Sequence, residues 1–163
     1  MPRRLLFVPL LVASLAPSLV QAACADLAFR QFDFWLGDWN VTTVADGKLV
    51  GHDRVENAYG GCVLQEHWTS VDGGTGGSLS VYDASRKLWH QTWVDSSGTL
   101  VVLEGTVKDG RMVMSGTMTQ DGKRVQDRMS WIPQGGKIRQ LWETSGDGGK
   151  TWTVIFDVYY SRG

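Results

Sequence analysis

Along the last stretch of the chain, Trp152, Val154, Phe156, Val158 and Tyr160 fall on one parity, and Thr151, Thr153 and Asp157 fall on the other. Such alternation places apolar groups on one face of an extended strand and polar groups on the opposite face. Strand-forming residues also fill segments 41–44, 64–69, 88–94, 100–107 and 112–118. Turn chemistry returns between the runs at nearly even intervals: Asp46-Gly47, Gly60-Gly61, Asp72-Gly73-Gly74, Asp83-Ala84-Ser85, Ser96-Ser97-Gly98, Asp109-Gly110, Asp121-Gly122, Gln134-Gly135-Gly136 and Asp147-Gly148-Gly149. Asp-Gly suits tight hairpins, whose central residues take positive φ. Nine turns therefore separate ten segments, and none after Gly37 reads as a long helix.

Strands joined by short turns pair with their sequence neighbours and form an antiparallel meander. Left open, the meander exposes two edges; closing it removes both. The predicted fold is therefore all-β, an antiparallel up-and-down β-barrel of about ten strands, with a two-sheet sandwich as the alternative. Ahead of the first strand, residues 29–39 are too aromatic for a linker. Phe32, Trp35 and Leu36, at i, i+3 and i+4, share one side of a short helical turn. This turn is expected to plug one barrel mouth, with Gly37 allowing a sharp entry into the strand that carries Trp39.

Residues 1–22 have a different character. Arg3 and Arg4 precede an apolar run that ends in small residues, with Val20 and Ala22 suitably placed for cleavage after Ala22. That is the pattern of a signal peptide, and it leaves residues 23–163 as a single domain exported to the periplasm or beyond. Arg3-Arg4 also resembles a twin-arginine signal, although the flanking residues match poorly. No second apolar run approaches the roughly 20 residues of a membrane helix. The 163-residue chain carries a formal net charge of −1, which becomes more negative without the leader arginines, and it has no basic cluster. Nucleic acid is not an expected partner. Exported thiols oxidise, so the two cysteines, Cys24 and Cys62, are expected to pair and tie the N-terminus to the barrel. The alternative is a lipoprotein acylated at Cys24, but Gln21 stands where that signal takes an aliphatic residue.

The opening FDFWLGDWNV, followed by Gly60-Gly61-Cys62 with Glu66 and Trp68 just beyond, resembles a family of exported bacterial proteins of unknown function. That family is thought to be calycin-like, distantly similar to lipocalins, fatty-acid-binding proteins and nitrobindins. The likeness spans residues 29–162 and implies a barrel, with an arginine a few residues before a tryptophan at Arg128. The haem of the nitrobindin-like relatives needs a late histidine, and none follows His90. A second match, Ser145-Gly146-Asp147-Gly148-Gly149-Lys150-Thr151-Trp152, fits the Asp-box hairpin of sialidases. One copy in a chain of this length reads as a turn lock rather than a glycosidase signature.

Eight tryptophans are many for this length. Alternation places Glu66 with Trp68, Gln91 with Trp89 and Trp93, and Gln140 with Trp142 on common strand faces. If these faces point inward, the interior is mixed, and its polar groups need one another, trapped water or a ligand. The expected ligand site comprises Glu66, Trp68, Gln91, Trp93, Arg128, Gln140 and Trp142. Arg128 would be a counter-charge for Glu66, yet alternation sets it opposite Met129 and Trp131, so either a bulge or an outward Arg128 is required. The alternative is a closed structural network with no ligand. His52, His67 and His90 form no metal-ligand pattern, and neither a metal nor a cofactor is expected. No G-x-S-x-G elbow is present. Met112, Met114 and Met118 share a strand face as adaptable lining or packing. The reading is an exported binder of a small apolar or amphipathic molecule. A barrel-housed isomerase, cyclase or hydrolase using Glu66, or a filled barrel acting through its surface, are the alternatives.

Overall fold

The computed structural model describes residues 24–120 and 122–163; the leader assigned to residues 1–22 lies outside them. Ten strands follow one another: β1 (Gly37–Thr43), β2 (Leu49–Ala58), β3 (Val63–Ser70), β4 (Thr75–Asp83), β5 (Leu88–Asp95), β6 (Leu100–Lys108), β7 (Arg111–Gln120), β8 (Lys123–Gln134), β9 (Lys137–Ser145) and β10 (Thr153–Ser161). Each pairs antiparallel with its sequence neighbours, and β1 pairs with β10 to close the barrel. The expected meander is thus present, and closure excludes the open sandwich. The connections fall at the nine predicted turns. At Asp109-Gly110 and Gly135-Gly136 both central residues have positive φ, the geometry that matches the twist of a two-residue hairpin.

One end of the barrel is stoppered. The short helix α1 (Leu27–Arg30) and a 3-10 turn at Asp33–Trp35 carry Phe32 and Trp35 into the interior, where neither retains solvent contact. Phe32 stacks on Trp35 with ring centroids 5.0 Å apart and meets Trp131 and Trp89 edge-on at 5.1 and 5.7 Å. The chain enters β1 through Gly37 at φ 135°, where an added Cβ would lie 1.4 Å from Arg162 Nη1. Arg162 in turn stacks on Trp39 and donates to the Leu36 carbonyl, joining the C-terminal end to the plug. The Cys24–Cys62 disulfide, closing a separation of 38 residues, fastens the segment before α1 to the β2–β3 connection. A loop of that length contributes about 3–4 kcal/mol by restricting the unfolded chain.

Alternation holds along most of the wall, with register shifts between β1 and β2 at Val41–Thr42 and between β9 and β10. β10 shifts register between Val154 and Phe156, so Val154 pairs with Glu143 and Phe156 with Trp142. Phe156, Val158 and Tyr160 face inward as expected, whereas Val154 and Ile155 are about half exposed. The face predicted to run from Trp152 to Tyr160 is therefore broken by a bulge. Trp152 lies before the strand, its Nε1–H donating to the Gly149 carbonyl at 3.1 Å. Asp147 accepts from the Thr151 amide and hydroxyl and from Ser145 Oγ, and the Gly149 amide donates to that Ser145 oxygen. The Asp-box segment is a self-locked turn.

Candidate functional site

In the half of the barrel away from the plug lies a cavity of about 200 Å³. Six of the seven residues expected at a ligand site line it: Glu66, Trp68, Gln91, Trp93, Gln140 and Trp142. They converge because each occupies an inward position on β3, β5 or β9. Val101, Met129, Phe156 and Tyr160 complete the wall, and Asp95 stands at the rim.

Glycines on adjacent strands make room for two of the indoles. A Cβ at Gly51 would stand 2.4 Å from Trp68 Cη2, and one at Gly76 would stand 2.5 Å from Trp93 Cζ2. Both rings therefore lie against neighbouring backbone in space that a side chain at the glycine would occupy. Hydrogen bonds orient the other edges: Trp142 Nε1–H donates to Asp127 at 2.9 Å, and Trp93 Nε1–H to Asp95 at 3.4 Å. Asp95 also accepts from Ser97 and Thr99 in the β5–β6 turn. Those bonds, led by the Ser97 hydroxyl, hold its carboxyl down at about 2.

The cavity floor is polar and tightly placed. Ser78 Oγ–H donates to one Glu66 oxygen at 2.5 Å, Gln91 Nε2 donates to Ser80 Oγ at 3.0 Å, and the Tyr160 hydroxyl donates to Gln140 Oε1 at 3.1 Å. Behind Glu66 sits Asp53 of β2, only 3% exposed, with neither carboxyl oxygen hydrogen-bonded. Burial, then the Glu66 charge, pushes the Asp53 carboxyl far above the usual carboxylate range. Burial raises Glu66 as well, opposed by the Ser78 hydrogen bond. Two carboxyls so placed cannot both ionise cheaply, so the pair keeps a proton near neutral pH. Tyr160 is pushed up by burial and by both acids, and stays a neutral donor.

Arg128 is the exception among the expected residues. The pairing of β8 with both neighbours is regular, so strict alternation holds and Arg128 points outward, opposite Met129. It binds Glu143 at 2.9 and 3.0 Å and lies 4.0 Å over the Trp152 ring. It is therefore neither a lining residue nor the counter-charge of Glu66. The inward acid beside it, Asp127, is the group that sequence reasoning passed over. Its parity with Met129 and Trp131 was the available signal. Asp53 shares the parity of Gly51 and Val55 in the same way.

Among the described residues, no group of three or more His, Cys, Asp or Glu side chains is arranged to hold a metal ion. His52 and His67 are exposed, and His90 bonds Glu104 and Thr92. No helix among the described residues is long and apolar enough to cross a membrane. No family model and no curated protein matches the chain.

Proposed function

We propose that this barrel is an exported carrier of the calycin kind, which binds one small amphipathic molecule in its mouth-side cavity. A single observation carries the reading: a space of about 200 Å³ whose walls are indoles and whose floor presents Glu66, Gln91 and Gln140. Ligand sites combine apolar walls with a few fixed polar anchors in this way. A cavity of about 150 Å³ accommodates benzene, so the volume here suits a ring-sized molecule with a short polar arm. The leader pattern of residues 1–22 and the Cys24–Cys62 bond support export to the periplasm or beyond.

Native mass spectrometry of the protein purified from its own host tests this reading. The expected result is a non-covalent adduct that Gln140→Ala loses or retains poorly. A bare polypeptide mass from the wild-type preparation contradicts it. The Asp53–Glu66 pair favours a second reading, acid–base catalysis on the same kind of molecule, because a carboxyl retaining its proton near neutrality can both donate and accept. Turnover with a bell-shaped pH profile that disappears in Glu66→Gln distinguishes catalysis from carriage.

A further inference from the structure

The charges of this barrel are sorted by side. On the outer face five acids have basic partners: Glu143 with Arg128, Asp157 with Arg139, Asp83 and Glu104 with Arg86, and Glu56 with Arg54. Inside the mouth-side half the ionisable side chains are acids. Glu66 lines the cavity with Asp53 behind it, Asp127 lies behind Trp142, and Asp95 lies at the rim. Among the described residues, no Lys, Arg or His lines the cavity. Both Asp53 oxygens and one Asp127 oxygen are buried without a donor, and Glu66, 6% exposed, has one oxygen held by Ser78 and the other free of any described protein donor.

We propose that the ligand is a small organic cation, an ammonium or methylated ammonium on an apolar body, seated among Trp68, Trp93 and Trp142 with its charge toward Glu66. This rests on the carrier reading and narrows it to one chemical class. Indole faces attract cations through their quadrupole, most strongly when water is excluded. A carboxylate supplies the charge-assisted hydrogen bonds that an ammonium group seeks. An anionic ligand would face Glu66 and Asp95, backed by Asp53 and Asp127 in the wall, with no basic group to receive it. A neutral one would leave the inner acids without counter-charge.

Proton linkage provides a check in the wild-type protein. The ionisable groups that face Glu66 are Asp53 from β2 and Tyr160 from β10, while β4 contributes the Ser78 hydroxyl. With the cavity empty, the acid pair retains a proton near neutral pH. An entering cation favours the ionised form, so the proton leaves to solvent and affinity climbs with pH.

The test is calorimetric titration of the exported protein with phenethylammonium, 2-phenylethanol and phenylacetate, which are matched in size and differ in charge. The cation is expected to bind about tenfold or more tightly than the alcohol at neutral pH, with no measurable binding of the anion. Its affinity should rise between about pH 5 and 8, with proton release, while that of the alcohol stays flat. Glu66→Gln should remove both the preference for the cation over the alcohol and the pH dependence of cation binding, and a variant that keeps both overturns the assignment; if that variant does not fold, the wild-type pH series decides. Binding of the alcohol or the anion as tightly as the cation, or cation binding that does not change with pH, overturns the cation assignment and leaves the carrier reading standing. Failure of all three compounds to bind the wild type overturns both.

Discussion

The two halves of the barrel interior are made by the same strands and solve opposite problems. At the plug end Phe32, Trp35, Trp89, Met112, Met114 and Trp131 have no solvent contact, and of their three indoles one, Trp89, finds an acceptor, Gln31 Oε1 at 3.3 Å. Packing is placed ahead of hydrogen bonding there, since the indole N–H groups of Trp35 and Trp131 are buried without acceptors. At the mouth end, Trp93 and Trp142 are instead positioned by carboxylates, and space is left between the rings. Each buried donor without a partner costs about 1–3 kcal/mol. The plug end offsets that cost with ring–ring contact over a large apolar area. The mouth end accepts a cavity and buried acids, and neither favours stability. The stoppered half is built to hold the cylinder together, and the open half is built for something other than stability.

The largest expected effect follows from this division. Trp131→Ala should lower unfolding stability by about 3–5 kcal/mol, read by urea denaturation. Trp93→Ala should cost less than about half as much, because that ring is only partly buried and borders a space already empty. Equal costs would erase the distinction between the halves.

The acid pair makes the next prediction, with its sign set by linkage. The folded-state carboxyls of Asp53 and Glu66 are raised, so the folded protein holds a proton that the unfolded chain releases. Stability should therefore fall as pH rises above about 4, the ordinary carboxylate value, and continue falling through about 7 and up to about 9, where Glu66 and Asp53 ionise in the folded protein. Asp53→Asn should flatten that slope and raise stability at pH 7 by about 1–3 kcal/mol. A pH-independent wild type, or an Asn variant that is less stable at neutral pH, contradicts the assignment.

Smaller in stability, but specific to the cavity, is Gly76→Ala. The added methyl overlaps Trp93 and should push the indole into the lumen, lowering ligand affinity about tenfold while costing only about 1 kcal/mol of stability. The smallest effect belongs to Arg128→Ala. Loss of a half-exposed ion pair and a stacking contact should cost about 1 kcal/mol or less, with ligand affinity unchanged. A large loss of binding would return Arg128 to the site.

How far the chain was legible depended on whether a feature is local. Turn residues impose their φ preferences within a few positions, so all nine connections and the ten-strand count could be read. Alternation is equally local, which is why Glu66, Gln91 and Gln140 could be grouped with Trp68, Trp93 and Trp142 before any coordinates. The bulge at Ile155 has no such signature, because it is a slip in the register of β10 against β9 that the residue pattern of β10 alone does not mark. Asp53 was missed for a related reason. Its carboxyl matters through Glu66, which the β2–β3 register brings near it, and through Tyr160, which β10 brings near only once the barrel closes. Arg128 was misjudged where a family likeness was set against parity, and the regular register of β8 followed parity.

The most direct measurement is a nitrogen–proton correlation spectrum of the indole Nε1–H groups during titration with a ring-sized probe such as phenethylammonium. The account predicts that the signals of Trp68, Trp93 and Trp142 shift with saturation while those of Trp35, Trp89 and Trp131 stay fixed. Shifts centred on the plug tryptophans, or no shift in any indole signal, would contradict it.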